Sequence, residues 1–290
     1  MISNNIMYYF IYLIVLVASA YYTGCLLSFF FITDEERRPP SIGVRKVASV
    51  PFNSEGGFID GTWCIPDTSR IMLRGKEYMS NKRKINCDKE SIFEPVDLSI
   101  YAEDSGRRKM SNVAINIPDI RNLLESQQDT WFLIITWILP AEPHLSVVMI
   151  FRRRLKRSDT AADKLLTDFI KGTNSFKKER FKFIPHIQRC PAIVRKGITL
   201  FGGERPTLLC KKIASKFFNG SNYLEIDINI SSSSSARGLS SLILPAMNSM
   251  SILFAFTLEG RNDDELPEEL LGAISVTNVD FARIVSKYVE

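Results

Sequence analysis

Residues 6–32, IMYYFIYLIVLVASAYYTGCLLSFFFI, form an uncharged, overwhelmingly apolar run of 27 residues. At a helical rise of about 1.5 Å per residue, such a run crosses a bilayer core of about 30 Å with some tilt. This constrains the chain more than any other feature, because so long an apolar segment has to be covered by lipid or by protein. Tyr8, Tyr9 and Tyr12 at one end and Phe29, Phe30 and Phe31 at the other fit interfacial aromatic belts. A cleaved signal peptide is the rival reading, since Ala18, Ser19 and Ala20 supply the small residues of a cleavage site. No Lys or Arg precedes the run, however, and it continues through CLLSFFFI, so an uncleaved transmembrane anchor is the expectation. Arg37, Arg38, Arg45 and Lys46 follow closely, and the positive-inside rule then predicts a single-pass protein whose bulk faces the cytosol of an unspecified membrane.

Residues 33–59 include DEERRPP and SVPFNSEGG without apolar periodicity and read as a linker. Residues 60–290 remain, enough chain to bury a substantial core. The five cysteines are odd in number, scattered and without close pairs, which argues against a disulfide framework or a zinc site and fits a reducing compartment. The net charge of +5 belongs to residues after the apolar run and should draw the domain toward anionic lipid. A nucleic-acid partner is not expected, as no helix-turn-helix, zinc knuckle or aromatic RNA-binding signature accompanies the charge.

WFLIITWIL (131–139) and LSVVMIF (145–151), joined by PAEPH, read as adjacent antiparallel strands covered on both faces. YLEIDINI (223–230) alternates strictly, which predicts a half-buried strand with Glu225, Asp227 and Asn229 on its solvated side. RFKFIPHI (180–187), AIVRKGI (192–198), SILFAFTL (251–258) and LGAISVT (271–277) are further strand candidates. Helices are predicted over 160–171, capped by Asp159 and stopped by Gly172, from Pro118 through IRNLLES, and after the serine run up to Pro245. The fold class that follows is α+β, an antiparallel β-sheet domain with a few packed helices, preceded by an N-terminal transmembrane helix.

RIMLRGKEYMSNKRKI (70–85), FIKGTNSFKKERFKFIPHI (169–187), FFNGSNYLEIDINISSSSSAR (217–237) and LPEELLGAISVTNVD (266–280) occur in this order. These blocks resemble the C-terminal domain family of the plant Enhanced Disease Resistance 2 protein, with NYLEIDINISSSSSAR the most specific, over residues 60–290. In plant relatives the domain follows a pleckstrin-homology domain and a START lipid-binding domain. Neither fits before residue 60, so phosphoinositide binding, which belongs to the pleckstrin-homology domain, is not carried over. The resemblance implies a non-catalytic role related to lipid or membrane.

The residues themselves offer little for catalysis. His144 and His186 lie in or beside apparent strands without a nucleophile elbow, phosphate loop or metal-binding partner, and no cofactor site is expected. Glu225 and Asp227 share a strand face, but a solvated face is the plainer expectation than paired carboxylates at work. Arg152, Arg153, Arg154, Lys156 and Arg157 crowd the exit of an apolar strand and are candidates for anionic headgroups, set against an ordinary solvated loop. Lys177, Lys178, Arg180 and Lys182 form a second basic run that strengthens a membrane face only if it shares a side with the first. Ser233, Ser234, Ser235 and Arg237 are candidates for phosphate at a helix N-terminus, set against simple capping. The functional expectation is a membrane-anchored, cytosolic, lipid-associated or regulatory binding module that is not an enzyme. The alternative is a protein-interaction scaffold with a filled core. Apolar strands serve a lipid cavity and a packed interior equally, so sequence leaves these two open.

Overall fold

A computed structural model describes residues 44–54, 61–103, 110–141, 144–155 and 160–289. In chain order the strands are β1 (Val44–Ser49), β2 (Thr62–Cys64), β3 (Met72–Arg74), β4 (Lys84–Asn86), β5 (Phe93–Glu103), β6 (Phe132–Ile138) and β7 (His144–Arg153). They continue with β8 (Phe181–Arg189), β9 (Thr207–Leu208), β10 (Ser215–Asn219), β11 (Tyr223–Asn229), β12 (Ser251–Leu258) and β13 (Leu270–Thr277). The helices are α1 (Tyr78–Asn81), α2 (Val113–Asn116), α3 (Pro118–Ser126), α4 (Ala161–Lys171), α5 (Asn174–Arg180), α6 (Ala192–Leu200), α7 (Leu209–Lys212), α8 (Ser234–Ile243) and α9 (Phe281–Val289).

One sheet has the order β1-β5-β7-β6-β11-β10 and the other β2-β13-β12-β8-β9. Their inner faces meet over a core filled by aromatic rings. Phe151 lies 6.0 Å from Phe256, which stacks on Phe181 at 5.6 Å, and Phe181 faces Phe169 of α4 at 6.4 Å. Gly272 sits where the sheets approach most closely, since a Cβ there would stand 2.8 Å from the Phe151 ring. Two smaller elements cover the outer faces. Residues Met110 to Leu124, carrying α2 and α3, bury Ile134, Val148 and Ile150 of the first sheet. The β3–β4 hairpin buries Ile184, Leu253 and Ala273 of the second.

The α+β expectation holds, with two differences. The strands form two stacked sheets, and the first is mixed, because β11 runs parallel to β6 while its other neighbours pair antiparallel. The chain leaves that sheet after β7, builds part of the second, and returns through α6 and α7, so a parallel pairing becomes reachable. Among the described residues no helix is long and apolar enough to cross a membrane; residues 6–32 lie outside the described residues. Within the segment read as a linker, Val44–Ser49 forms β1, registered on β5, and Phe52 bridges to Trp63. Backbone pairing, which apolar periodicity does not reveal, recruits it into the sheet.

Strands β6, β7, β12 and β13 fall where the apolar runs predict them, and Phe132–Ile138 is buried throughout. AIVRKGI, read as a strand, is instead the start of α6. It buries Val194, Gly197 and Ile198 at i, i+3 and i+4, the helical spacing. Helix α4 is capped by Thr160, whose hydroxyl accepts from the Asp163 amide (3.3 Å) while Asp163 accepts from the Thr160 amide (3.3 Å). Asp159, the cap expected from sequence, lies outside the described residues.

The sandwich has two unlike ends. Phe93, Phe132 and Arg153 close one sheet where Phe181, Leu258 and Leu270 close the other, and the Ile92 amide donating to the Leu270 carbonyl (2.8 Å) joins them. At the opposite end, beyond Ile138, Asn229 and Arg189, lie α6, α8, α9 and the 3₁₀ turn Leu244–Ser249. Val44 pairs with Glu103, so the described chain enters at this helical end.

Candidate functional site

The structure gathers charge at the first end, and most of it was not foreseen as a group. Lys177, Arg180 and Lys182, read from sequence as a surface run, are all buried. Lys182 Nζ donates to Glu268 Oε1 at 2.5 Å, and Glu268 also accepts from the amides of Arg74 (3.1 Å) and Gly260 (3.2 Å). Arg180 grips Glu265 with both terminal nitrogens, at 2.5 and 3.0 Å, and donates to the Glu259 carbonyl at 2.8 Å. Arg74 reaches Glu259 Oε2 at 3.0 Å and stacks over Tyr78 at 4.7 Å. Arg261 extends the network to Glu179 at 2.8 Å. Burial would expel such charges singly; Arg180 and Lys182 stay because a counter-charge and further hydrogen bonds satisfy them, and Lys177 donates to Asn219 Oδ1 at 3.4 Å beside the Phe217 ring.

The electrostatics follow from that packing. Burial lowers the Lys182 ammonium pKa, although Glu268 beside it pulls in the opposite direction. Burial pushes Glu265 up, but the Arg261 amide and the Arg180 guanidinium outweigh it and hold the carboxyl below its usual range. An open cleft of about 180 Å³ between the β3–β4 hairpin and β8 is lined by Arg74, Tyr78, Lys84, Lys182, Glu259 and Glu268. It is smaller than the several hundred Å³ typical of organic-ligand pockets. Arg74 and Lys182 face it already committed to carboxylates, which leaves little attraction for a further anion.

The same pairing reaches the predicted headgroup cluster. Arg152 donates to Glu94 Oε1 at 2.5 and 3.0 Å, Arg154 to Glu94 Oε2 at 3.0 Å, and Arg153 to Asp163 Oδ1 at 3.1 Å. Lys156 and Arg157 lie outside the described residues. Leu155, which sequence reasoning passed over, is 86% exposed beside these arginines. The serine run takes the capping role. Ser233 Oγ accepts from the Ala236 amide at 3.4 Å, Ser234 and Ser235 form the exposed first turn of α8, and Arg237 donates to the Ser231 carbonyl at 2.6 Å. His186 pairs through Nδ1 with Glu204 at 3.1 Å, which also receives Arg195 at 3.2 Å, while His144 opens β7 opposite Glu103.

Glu225 and Asp227 correct the sequence reading most sharply: they are 0% and 2% exposed. Helix α2 lies over them. Glu225 accepts from the amides of Val113 (2.6 Å) and Ala114 (2.9 Å), and Asp227 Oδ2 from Ser111 Oγ (2.7 Å) and the Asn112 amide (3.0 Å). Burial, with the Asp227 carboxyl alongside, pushes Glu225 up to about 9 against the pull of those amides. Asp227 Oδ1 is buried without a hydrogen-bond partner. The hydrogen bonds from residues 111–114 to the two carboxyls pin the outer cover to the sheet.

A family model described as Protein ENHANCED DISEASE RESISTANCE 2, C-terminal, matches residues 63–280. The Arabidopsis thaliana protein named Protein ENHANCED DISEASE RESISTANCE 2-like is 27% identical over 223 residues, covering 77% of this chain and 29% of that relative. The chain therefore corresponds to less than a third of the relative's length. No solved structure matches the chain.

Proposed function

Because the chain belongs to the family of the ENHANCED DISEASE RESISTANCE 2 C-terminal domain, we propose that it is a non-catalytic binding module held at a membrane, with residues 60–290 on the cytosolic side. The observation that carries this reading is the apolar run 6–32, long enough to cross a bilayer. Phe151, Phe256, Phe181 and Trp137 occupy the space between the sheets.

Headgroup contact by Arg152, Arg153, Arg154, Lys156 and Arg157 is a weaker part of the proposal, because Glu94 and Asp163 offset the first three. A scaffold for a protein partner is the second reading, and the filled core favours it equally. Carbonate extraction of the full chain tests the anchor: retention in the membrane fraction is expected, and release of intact protein would contradict it. Glycosylation at Asn219 would overturn the cytosolic orientation.

A further inference from the structure

The helical end carries apolar side chains that the fold does not use. Of the nine large hydrophobic residues that stand exposed among the described residues, three fall in α6 and its exit, namely Ile193 at 54%, Leu200 at 73% and Phe201 at 49%. Ile193, Lys196 and Leu200 recur at i, i+3 and i+7, one stripe of the helix, and Val194, Gly197 and Ile198 occupy the inward stripe. Helix α8 lies beside α6, since a Cβ at Gly197 would meet Leu242 at 2.5 Å and one at Gly238 would meet the Phe201 ring at 3.2 Å. Leu239, Leu242 and Ile243 of α8 pack against the core from that side, so the exposed apolar stripe belongs to α6 and its exit.

Its charge is one-sided. Over residues 192–205 and 234–243, which carry α6, its exit and α8, the cations are Arg195, Lys196, Arg205 and Arg237, and the acid is Glu204, which is occupied by His186 and Arg195. The described chain also begins at this end, at Val44. An exposed apolar helix stripe flanked by cations is the chemistry of an interfacial contact with anionic lipid.

We propose that α6 and its exit form a membrane-docking face, with Ile193, Leu200 and Phe201 entering the interfacial region of an anionic bilayer and the cations around them meeting headgroups. This deepens the membrane reading above and rests on it. It also assigns the bilayer side to the helical end rather than to the end that carries Arg152–Arg154. Leu155 there is a single exposed leucine among paired charges, which needs no partner to explain it.

The test introduces tryptophan at either end of the full chain, as Leu200→Trp or Leu155→Trp, both at exposed positions where folding is not at stake. Each variant is reconstituted into phosphatidylcholine–phosphatidylserine vesicles, with phosphatidylcholine brominated on its acyl chains as the quencher, and the native emission is subtracted. Quenching of the added emission in Leu200→Trp but not in Leu155→Trp is expected. Quenching at Leu155→Trp, alone or together with Leu200→Trp, would overturn the assignment of the face. If neither is quenched although the chain floats with the vesicles and resists carbonate, the docking face is wrong and the anchor stands. If the chain neither floats nor resists carbonate, the membrane reading itself fails and this inference falls with it.

Discussion

The two ends of the sandwich solve opposite problems. At the first, Arg180, Lys182, Glu265 and Glu268 are withdrawn from water and matched almost atom for atom. At the second, Leu200 is 73% exposed and Phe201, whose ring lies against Gly238, 49%. A buried pair is a weak source of net stability but a severe liability when half of it is lost, so the ionic end is locked rather than available. An apolar face outside the core contributes nothing to the fold, and its cost in solubility is relieved only when something covers it. The polar end of this molecule, where a ligand would ordinarily be sought, is therefore the structural one, and the apolar end is the one left open.

The most severe way to break that comparison is Glu268→Ala. It leaves Lys182 buried without its counter-charge and orphans the amides of Arg74 and Gly260. A loss of about 3–5 kcal/mol is expected, read from urea denaturation monitored by circular dichroism. A variant within 1 kcal/mol of the native chain, a bound set here as roughly the cost of a surface change, would mean that water or another cation stands in for the pair.

How this contrast escaped the sequence is instructive. Ser251–Leu258 and Leu270–Thr277 were legible because continuous apolar runs of strand length report their own burial. The fate of Lys182 was not, because its partner stands 86 residues downstream in LPEEL, and charge alone does not tell a solvated lysine from a paired one. Glu225 and Asp227 misled for the same reason. Strict alternation marked a half-buried strand correctly for one face, but the cover of the other face comes from Val113, 112 residues away. On α6 the helical spacing of Val194, Gly197 and Ile198 was present, and β-branched residues in AIVRKGI masked it. The docking stripe Ile193, Lys196, Leu200 becomes visible only once that segment is known to be a helix.

Glu225 sharpens the comparison from a third position, a buried acid with amides and a proton where the ionic end has cations. Its carboxyl titrates near 4.5 in an unfolded chain and near about 9 in the fold. The folded state therefore binds more protons across that window. The contribution is complete below pH 4.5 and is lost as pH rises toward about 9, with a slope of at most about 1.4 kcal/mol per pH unit. Asp227 and Tyr223 are the titratable groups facing it, and burial together with Glu225 raises the Tyr223 phenol in turn. Urea midpoints of the native chain should fall from pH 5 to pH 9, within that window, and Glu225→Gln should flatten the fall. Parallel slopes for the two proteins would show that the fold does not raise the Glu225 carboxyl.

The smallest expected effect tests the open end. Leu200 and Ile198 lie two residues apart on α6, but Leu200 is 73% exposed and Ile198 4%. If the outer stripe plays no part in the fold, Leu200→Ser should change stability by no more than about 0.5 kcal/mol, as surface substitutions do. Ile198→Ala, which empties part of the core beneath the same helix, should cost about 2–4 kcal/mol. The pair of measurements uses one helix, one end of the sandwich and one denaturation assay, so helix propensity and local backbone largely cancel between them. A Leu200 loss approaching that of Ile198 would mean that α6 packs its outer stripe within the chain, and the unlike character of the two ends would disappear. A Leu200 variant as stable as the native chain leaves that side chain with no folding role, which is the condition a surface kept for a bilayer has to meet.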